Sequence, residues 1–185
     1  MNVYDFDKTI FYPDSSFCFV SFCLKRYPRA FIQNAAEIAK AFYGYYISGD
    51  EPDSLKESLF SFMSYIPDPD EAVELFWKDN FSRIGEWYLE RKKDDDVIVS
   101  ASPEFLVGPV AKKLGVRLIA TRMDKYSGKI LNSNCRGREK VLRFRKEFGD
   151  AVIDEFYSDS HSDDPMAAIS NKAFMVKRKK ITEWI

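Results

Sequence analysis

The chain has 185 residues, 45% of them hydrophobic and 31% charged, which is enough apolar material for a folded core and excludes a disordered chain. Its 28 basic and 29 acidic residues leave a net charge of −1, so no overall basic field invites nucleic acid. At roughly 150 residues per domain, the length fits one domain, or one domain carrying a large insertion.

Asn2 to Phe6 reads as a short strand running into an acidic loop. From Asp14 to about Glu90 the pattern is helical: Phe31, Ala35, Ile38, Phe42 and Tyr46 recur at helical spacing, as do Leu55, Leu59, Phe62 and Ile66. Gly49-Asp50-Glu51-Pro52-Asp53 and Pro67-Asp68-Pro69-Asp70 punctuate these helices, each offering an Asp cap. The pattern then changes. Val97-Ile98-Val99 is a β-branched run that predicts a buried strand, Pro103 to Leu114 predicts a helix ended by Gly115, and Val116 to Ala120 the next strand. Asp124 to Leu131 contains a hairpin-like turn at Tyr126-Ser127-Gly128-Lys129. A charged helix follows over Arg138 to Phe148, then a strand over Val152 to Tyr157, a helix start at Pro165 to Ile169, and a last strand over Ala173 to Val176.

This order predicts an α/β fold: a three-layer, Rossmann-like core with a parallel sheet, split after its first strand by an all-helical insertion. Such sheets bind ligands beyond the carboxyl ends of their strands. Acidic and hydroxyl clusters stand at three of those ends.

Asp5-Phe6-Asp7-Lys8-Thr9 follows the first strand. One Asp can act as a nucleophile on phosphorus, and a second carboxyl two residues on can shuttle the proton of the leaving alcohol and the incoming water. Two neighbouring carboxylates call for a hard cation such as Mg2+. Ser100-Ala101-Ser102-Pro103 follows the Val97-Ile98-Val99 run and opens a helix, where hydroxyl and backbone N–H groups make either an anion site or an ordinary helix cap. Ser158-Asp159-Ser160-His161-Ser162-Asp163 follows the strand over Val152 to Tyr157, and Asp159 and Asp163 suit a Mg2+ ligand and its support. A phosphoryl site also wants a cation; spacing alone leaves Lys129, Arg138 and Lys140 open for that role.

Taken in order, Asp5-x-Asp7-x-Thr9, Ser100, Lys140 and Asp159-x-x-x-Asp163 resemble the four motifs of the haloacid dehalogenase-like superfamily of phosphatases, and the resemblance spans nearly the whole chain. It implies that Asp5 is the nucleophile and Asp7 the general acid/base. It implies that Ser100, Ala101 and Lys140 hold the phosphoryl oxygens. Mg2+ would be bound by Asp5, the backbone carbonyl of Asp7 and Asp159, with Asp163 in support, and Thr9 would shape the loop. Residues 1–13 and 91–185 would form the catalytic core, and residues 14–90 the helical cap of the phosphoserine-phosphatase-like branch.

Two sub-branches share the cap. Phosphoserine phosphatases follow the serine of their second motif with Gly-Gly, where this chain has Ala101-Ser102. They carry an acidic residue soon after the first motif, which Asp14 matches, and a cap arginine, in whose place Lys56 stands. Cys135-x-Gly137-x-Glu139-Lys140-Val141 and Tyr157-Ser158-Asp159-Ser160-x-x-Asp163-x-Pro165 are instead similar to bacterial phosphatidylglycerophosphatase C and its relatives. The expected substrate is therefore a small or lipid-linked phosphomonoester. A phosphoserine-type small-metabolite phosphatase, phosphotransfer to another alcohol and catalytically silent phosphate binding are the alternatives. Dehalogenation is excluded by Asp7, for which that chemistry has no use.

The aromatic run of the cap, with Lys25, Arg26 and Arg29 beside Phe22 and Tyr27, reads either as a core packed on itself or as a surface for an anionic membrane. No signal segment is read before Asp5, and the uncharged stretches Ser15 to Leu24 and Ala41 to Gly49 fall short of the ~18–20 residues that span a bilayer. The expected setting is cytoplasmic, with membrane-surface contact left open. Cys18, Cys23 and Cys135 lack a CxxC spacing and read as buried apolar residues. His161 is read as a bystander near the entrance, Asp94-Asp95-Asp96 as a solvated turn, and Lys177-Arg178-Lys179-Lys180 as a solvated end.

Overall fold

A computed structural model describes residues 1–43, 52–178 and 180–185. Tyr46, the Gly49-Asp50-Glu51 part of the first turn signal and Lys179 lie outside the described residues. Six strands form one sheet: β1 (Asn2–Tyr4), β2 (Val97–Pro103), β3 (Arg117–Thr121), β4 (Ile153–Ser158), β5 (Ser170–Lys177) and β6 (Lys180–Glu183), in the order β3-β2-β1-β4-β5-β6. β1 to β5 pair in parallel, and β6 returns antiparallel on β5. Parallel neighbours need crossovers, and helices α6 (Glu104–Leu114), α7 (Arg138–Phe148) and α8 (Asp164–Ala167) supply them.

Alternation along the strands separates two cores. Val3, Val97 and Val99 face one side with Phe144 of α7 and Met166 of α8. Tyr4 and Ile98 face the other, with Leu106, Val107 and Val110 of α6. Burial on both faces explains why β2 reads as a continuous apolar run rather than an alternating one.

Between β1 and β2 the described chain is helical: α1 (Ser15–Arg26), α2 (Pro28–Tyr43), α3 (Pro52–Phe60), α4 (Pro69–Asn80) and α5 (Glu86–Leu89). Asp14 caps α1 by accepting from Phe17 N at 2.9 Å, and Asp68 caps α4 by accepting from Asp70 N and Glu71 N at 3.0 Å. These helices continue the α6-side core. Phe19 meets the ring of Phe76 edge-on at 5.5 Å, and Trp77 Nε1 donates to Leu106 O at 2.6 Å, which satisfies the buried indole. The aromatic run thus divides. Phe19, Phe60, Phe62 and Phe76 are core, whereas Phe17, Leu24 and Ile32 are exposed. No described helix is long and apolar enough to cross a membrane.

Two readings change. Ala173 to Val176 is not the last strand: Arg178, at φ 59°, turns the chain into β6, and Val176 pairs with Ile181. The basic run conceals a hairpin in which Lys177 pairs with Lys180 and the apolar Val176 and Ile181 flank it. Asp96 is not solvated. It is fully buried, with Oδ2 accepting from Lys93 N at 2.8 Å to close the turn into β2, and with Oδ1 unpartnered.

Candidate active site

The carboxyl ends of β1, β2 and β4 open onto one cleft of about 560 Å³. Asp5 leaves β1 with its N–H donating to Tyr157 O at 2.8 Å, so the sheet register itself fixes its start. The loop then folds tightly back. Phe6 O accepts from Ile10 N and Phe11 N, both at 2.9 Å, and Lys8 takes a left-handed φ of 57° that only a tight turn makes worthwhile. Thr9 is buried in this turn with its hydroxyl unpartnered.

Lys140 lies in the first turn of α7. Gly137, just ahead, has φ 56°, and a Cβ there would stand 3.3 Å from Ser162 O, so this close approach of α7 to the β4–α8 loop suits glycine. The approach carries Lys140 Nζ to 2.6 Å from Asp5 Oδ1 and 2.7 Å from Asp163 Oδ2, with all three residues buried. Ser158 Oγ also donates to Asp163 Oδ2, at 2.8 Å. Burial pulls the lysine's pKa down, but Asp5 and Asp163 override it and hold the ammonium charged well past the ordinary lysine range. Burial holds the Asp5 carboxyl above the ordinary aspartate range, and Lys140 opposes that rise without cancelling it.

Asp7 has both oxygens occupied. Oδ1 accepts from Ser15 N at 2.5 Å, and Oδ2 accepts from Ser102 Oγ at 2.5 Å. Burial and then the nearby Asp14 raise its pKa, and the Ser102 and Ser15 bonds oppose them. Ser100 is fully buried behind the cleft wall, where its Oγ accepts from Ser102 N at 3.0 Å. Ala101 and Ser102 line the cleft itself.

Lys56 reaches from α3 to β2 and to the β3–α7 connection, donating to Ala101 O and, at 3.1 Å, to Asn134 Oδ1. Burial lowers its pKa to about 8, opposed chiefly by Asp53. Asp14 lines the cleft while its Oδ1 caps α1. His161 pairs with Asp164 at 3.0 Å and packs against Trp184.

Among the described residues no three His, Cys, Asp or Glu side chains gather as a metal cluster. Mg2+ asks for less, taking one or two carboxylates with water and phosphate. Asp5 and Asp159 supply two carboxylates at the cleft, and Asp163 keeps a buried, unpartnered Oδ1 beside them. The donor set fits such a hard cation.

Among the cleft residues, Ser102 was read only within an anion site or helix cap, and Asn134 and Arg136 were not read as site residues. Asn134 ties three segments together, lying 2.8 Å from Thr121 Oγ1 and donating to Asp53 Oδ1 at 2.8 Å while it accepts from Lys56. Arg136 stands exposed at the cleft edge as a free-facing cation. No local pattern marks Asn134, because its partners come from distant segments of the chain.

A family model described as haloacid dehalogenase-like hydrolase matches residues 3–168. Protein CicA of Caulobacter vibrioides is 41% identical over 92 residues, a match that covers 45% of this chain and 41% of that protein's length. The chain is also similar to a solved protein of unknown function from Bordetella pertussis Tohama I, at TM-score 0.77 and 19% identity, over 94% of this chain and 87% of that one. A phosphoserine phosphohydrolase-like protein from Francisella tularensis subsp. tularensis SCHU S4 superposes at TM-score 0.57 and 15% identity, over 97% and 90%. At these identities the structural likenesses speak for the fold.

Proposed function

The chain belongs to the haloacid dehalogenase-like hydrolases, and from that premise we propose that it hydrolyses a phosphomonoester through an aspartyl-phosphate formed on Asp5. The observation that carries this reading is the Lys140 bridge, which sets a cation against Asp5 within a cleft that Asp7 and Asp159 also line. Asp5 Oδ attacks phosphorus, the bond from phosphorus to the alcohol oxygen breaks, and Asp7 gives that oxygen its proton. Asp7, now ionised, takes a proton from water. The water oxygen bonds to phosphorus, the bond to Asp5 breaks, and inorganic phosphate leaves. Lys140 holds Asp5 ionised for the attack and neutralises charge on the phosphoryl group. Mg2+ would be held by Asp5, the backbone carbonyl of Asp7 and Asp159, with Asp163 in support, and would supply further charge neutralisation there.

The alcohol portion of the substrate faces Phe17, Val20 and Leu59, an apolar wall contributed by α1 and α3, with Lys56 and Arg136 as cations beside it. That composition supports a small or lipid-linked phosphomonoester over a strongly zwitterionic one. The test is phosphate release from a panel with Mg2+ and with EDTA: phosphoserine, sugar phosphates, nucleotides, and phosphatidylglycerophosphate in micelles. Release that needs Mg2+ and is lost in Asp5→Asn is the expected result. Appearance of a phosphorylated acceptor in place of phosphate would make the protein a phosphotransferase instead. Substantial turnover by Asp5→Asn would refute the nucleophile.

A further inference from the structure

We propose that Ser102 is a positioning residue for Asp7, holding the carboxylate that moves the proton in both chemical steps. This rests on the assignment of Asp7 as general acid/base.

Ser102 sits in the irregular end of β2, where the register with β3 shifts between Ser100 and Pro103. Its N–H is spent on Ser100 Oγ, which fixes the backbone and turns its own side chain toward the β1 loop. Only 4% of the residue is exposed, so its hydroxyl has little access to water and must find protein partners. It finds Asp7 Oδ2 at 2.5 Å. A hydroxyl that donates to a carboxylate still accepts, and Ser102 Oγ accepts from Ser15 Oγ at 3.2 Å and lies 2.8 Å from Ser16 Oγ.

The other oxygen, Oδ1, is held by Ser15 N. The Asp7 carboxylate is thus gripped at one oxygen by the start of α1 and at the other by the end of β2. Two contacts from separate elements remove rotation about the last side-chain torsion, which a single contact would leave free. Glycine at position 102 would supply no such contact, and neither would alanine. The role therefore belongs to the hydroxyl, and the backbone turn is independent of it.

The experiment uses p-nitrophenyl phosphate, whose nitrophenolate leaves without needing a proton. Phosphorylation of Asp5 then proceeds without the acid, whereas breakdown of the aspartyl-phosphate still needs Asp7 as base. In Ser102→Ala the first turnover should keep its rate and its amplitude of one nitrophenolate per chain, while the linear phase slows about tenfold, a share of what general acid–base catalysis supplies. Placed in an Asp7→Asn background, Ser102→Ala should cause no further loss, because Ser102 acts through Asp7. A linear phase within twofold of the parent overturns the proposal. So does a reduced first-turnover amplitude, or a loss that multiplies with Asp7→Asn, since each marks a general structural role. If Asp7→Asn alone leaves the linear phase unchanged, the assignment of Asp7 itself fails and the proposal with it.

Discussion

The Lys140 ammonium stands 2.6 Å from the Asp5 carboxylate, with 2% of the lysine exposed. At that depth the pair is held together by necessity, since either charge alone would be stranded. Lys140→Met leaves Asp5 and Asp163 facing each other without a cation. The expected cost is about 3–5 kcal/mol of stability, together with loss of turnover. Denaturant unfolding of Lys140→Met and of Lys140→Met/Asp163→Asn checks it: the second variant should regain part of the loss, because it removes one stranded charge.

Lys56 titrates lower than a free lysine because burial penalises its charge, with a folded value of about 8 against an ordinary 10.5. Below pH 8 both folded and unfolded chains carry the proton, and its burial cost is constant. Between about 8 and 10.5 the unfolded chain binds more protons than the folded one, so stability gains a contribution that rises with pH. Lys56→Gln should lack this rise, which is on the order of 1–2 kcal/mol. Unfolding curves of both proteins at pH 7.5 and pH 10 measure the difference.

Asp96 shows the opposite sign. Burial raises its folded pKa above the ordinary 3.8, so the folded chain holds the proton more tightly than the unfolded one. Its contribution to stability is greatest at acid pH and is lost as pH rises through the raised value. Asp96→Asn keeps an oxygen for Lys93 N and drops the charge. It should gain ~1 kcal/mol at pH 7 and flatten the acid side of the stability profile.

Gly128 lets the connection between β3 and α7 approach α3 closely. Its φ is 73°, and a Cβ there would fall 2.5 Å from the carbonyl carbon of Phe60 at the end of α3. Gly128→Ala should destabilise the protein by about 2 kcal/mol, through a strained backbone and a displaced α3. Gly149 also has positive φ, but its Cβ would meet nothing within 4 Å. Gly149→Ala should therefore cost less, and thermal unfolding of the two variants side by side separates strain from collision.

The fold was legible where local chemistry and tertiary demand agree. Val97-Ile98-Val99 reads as a strand because both faces of β2 are covered, and Asp68-Pro69 reads as a helix start because its cap is local. The shared placement of Asp5, Asp7 and Asp159 at one cleft was legible because each follows a strand, and strand ends converge in a parallel sheet. Ser102 was not, because the partner that gives it meaning lies 95 residues away, and its own neighbourhood reads as an ordinary helix entry. Asp96 misled for the converse reason. Three consecutive acids look solvated, and only the packing of β2 buries the last of them. Asp14 had a local signal, the cap of α1, that competes with its reading as a substrate group.

The turn carrying Gly128 is also tied to α3 by an amide: Ile130 N donates to Glu57 Oε1 at 2.7 Å, across the seam between the β3–α7 connection and α3. That amide has no partner of its own in strand or helix, so its shelter from solvent lasts only while the seam is shut. Deuterium uptake at Ile130 should therefore report any separation of α3 from the β3–α7 connection. A ligand that clamps the cleft slows that single amide, and Glu57→Ala removes the report without touching a catalytic group.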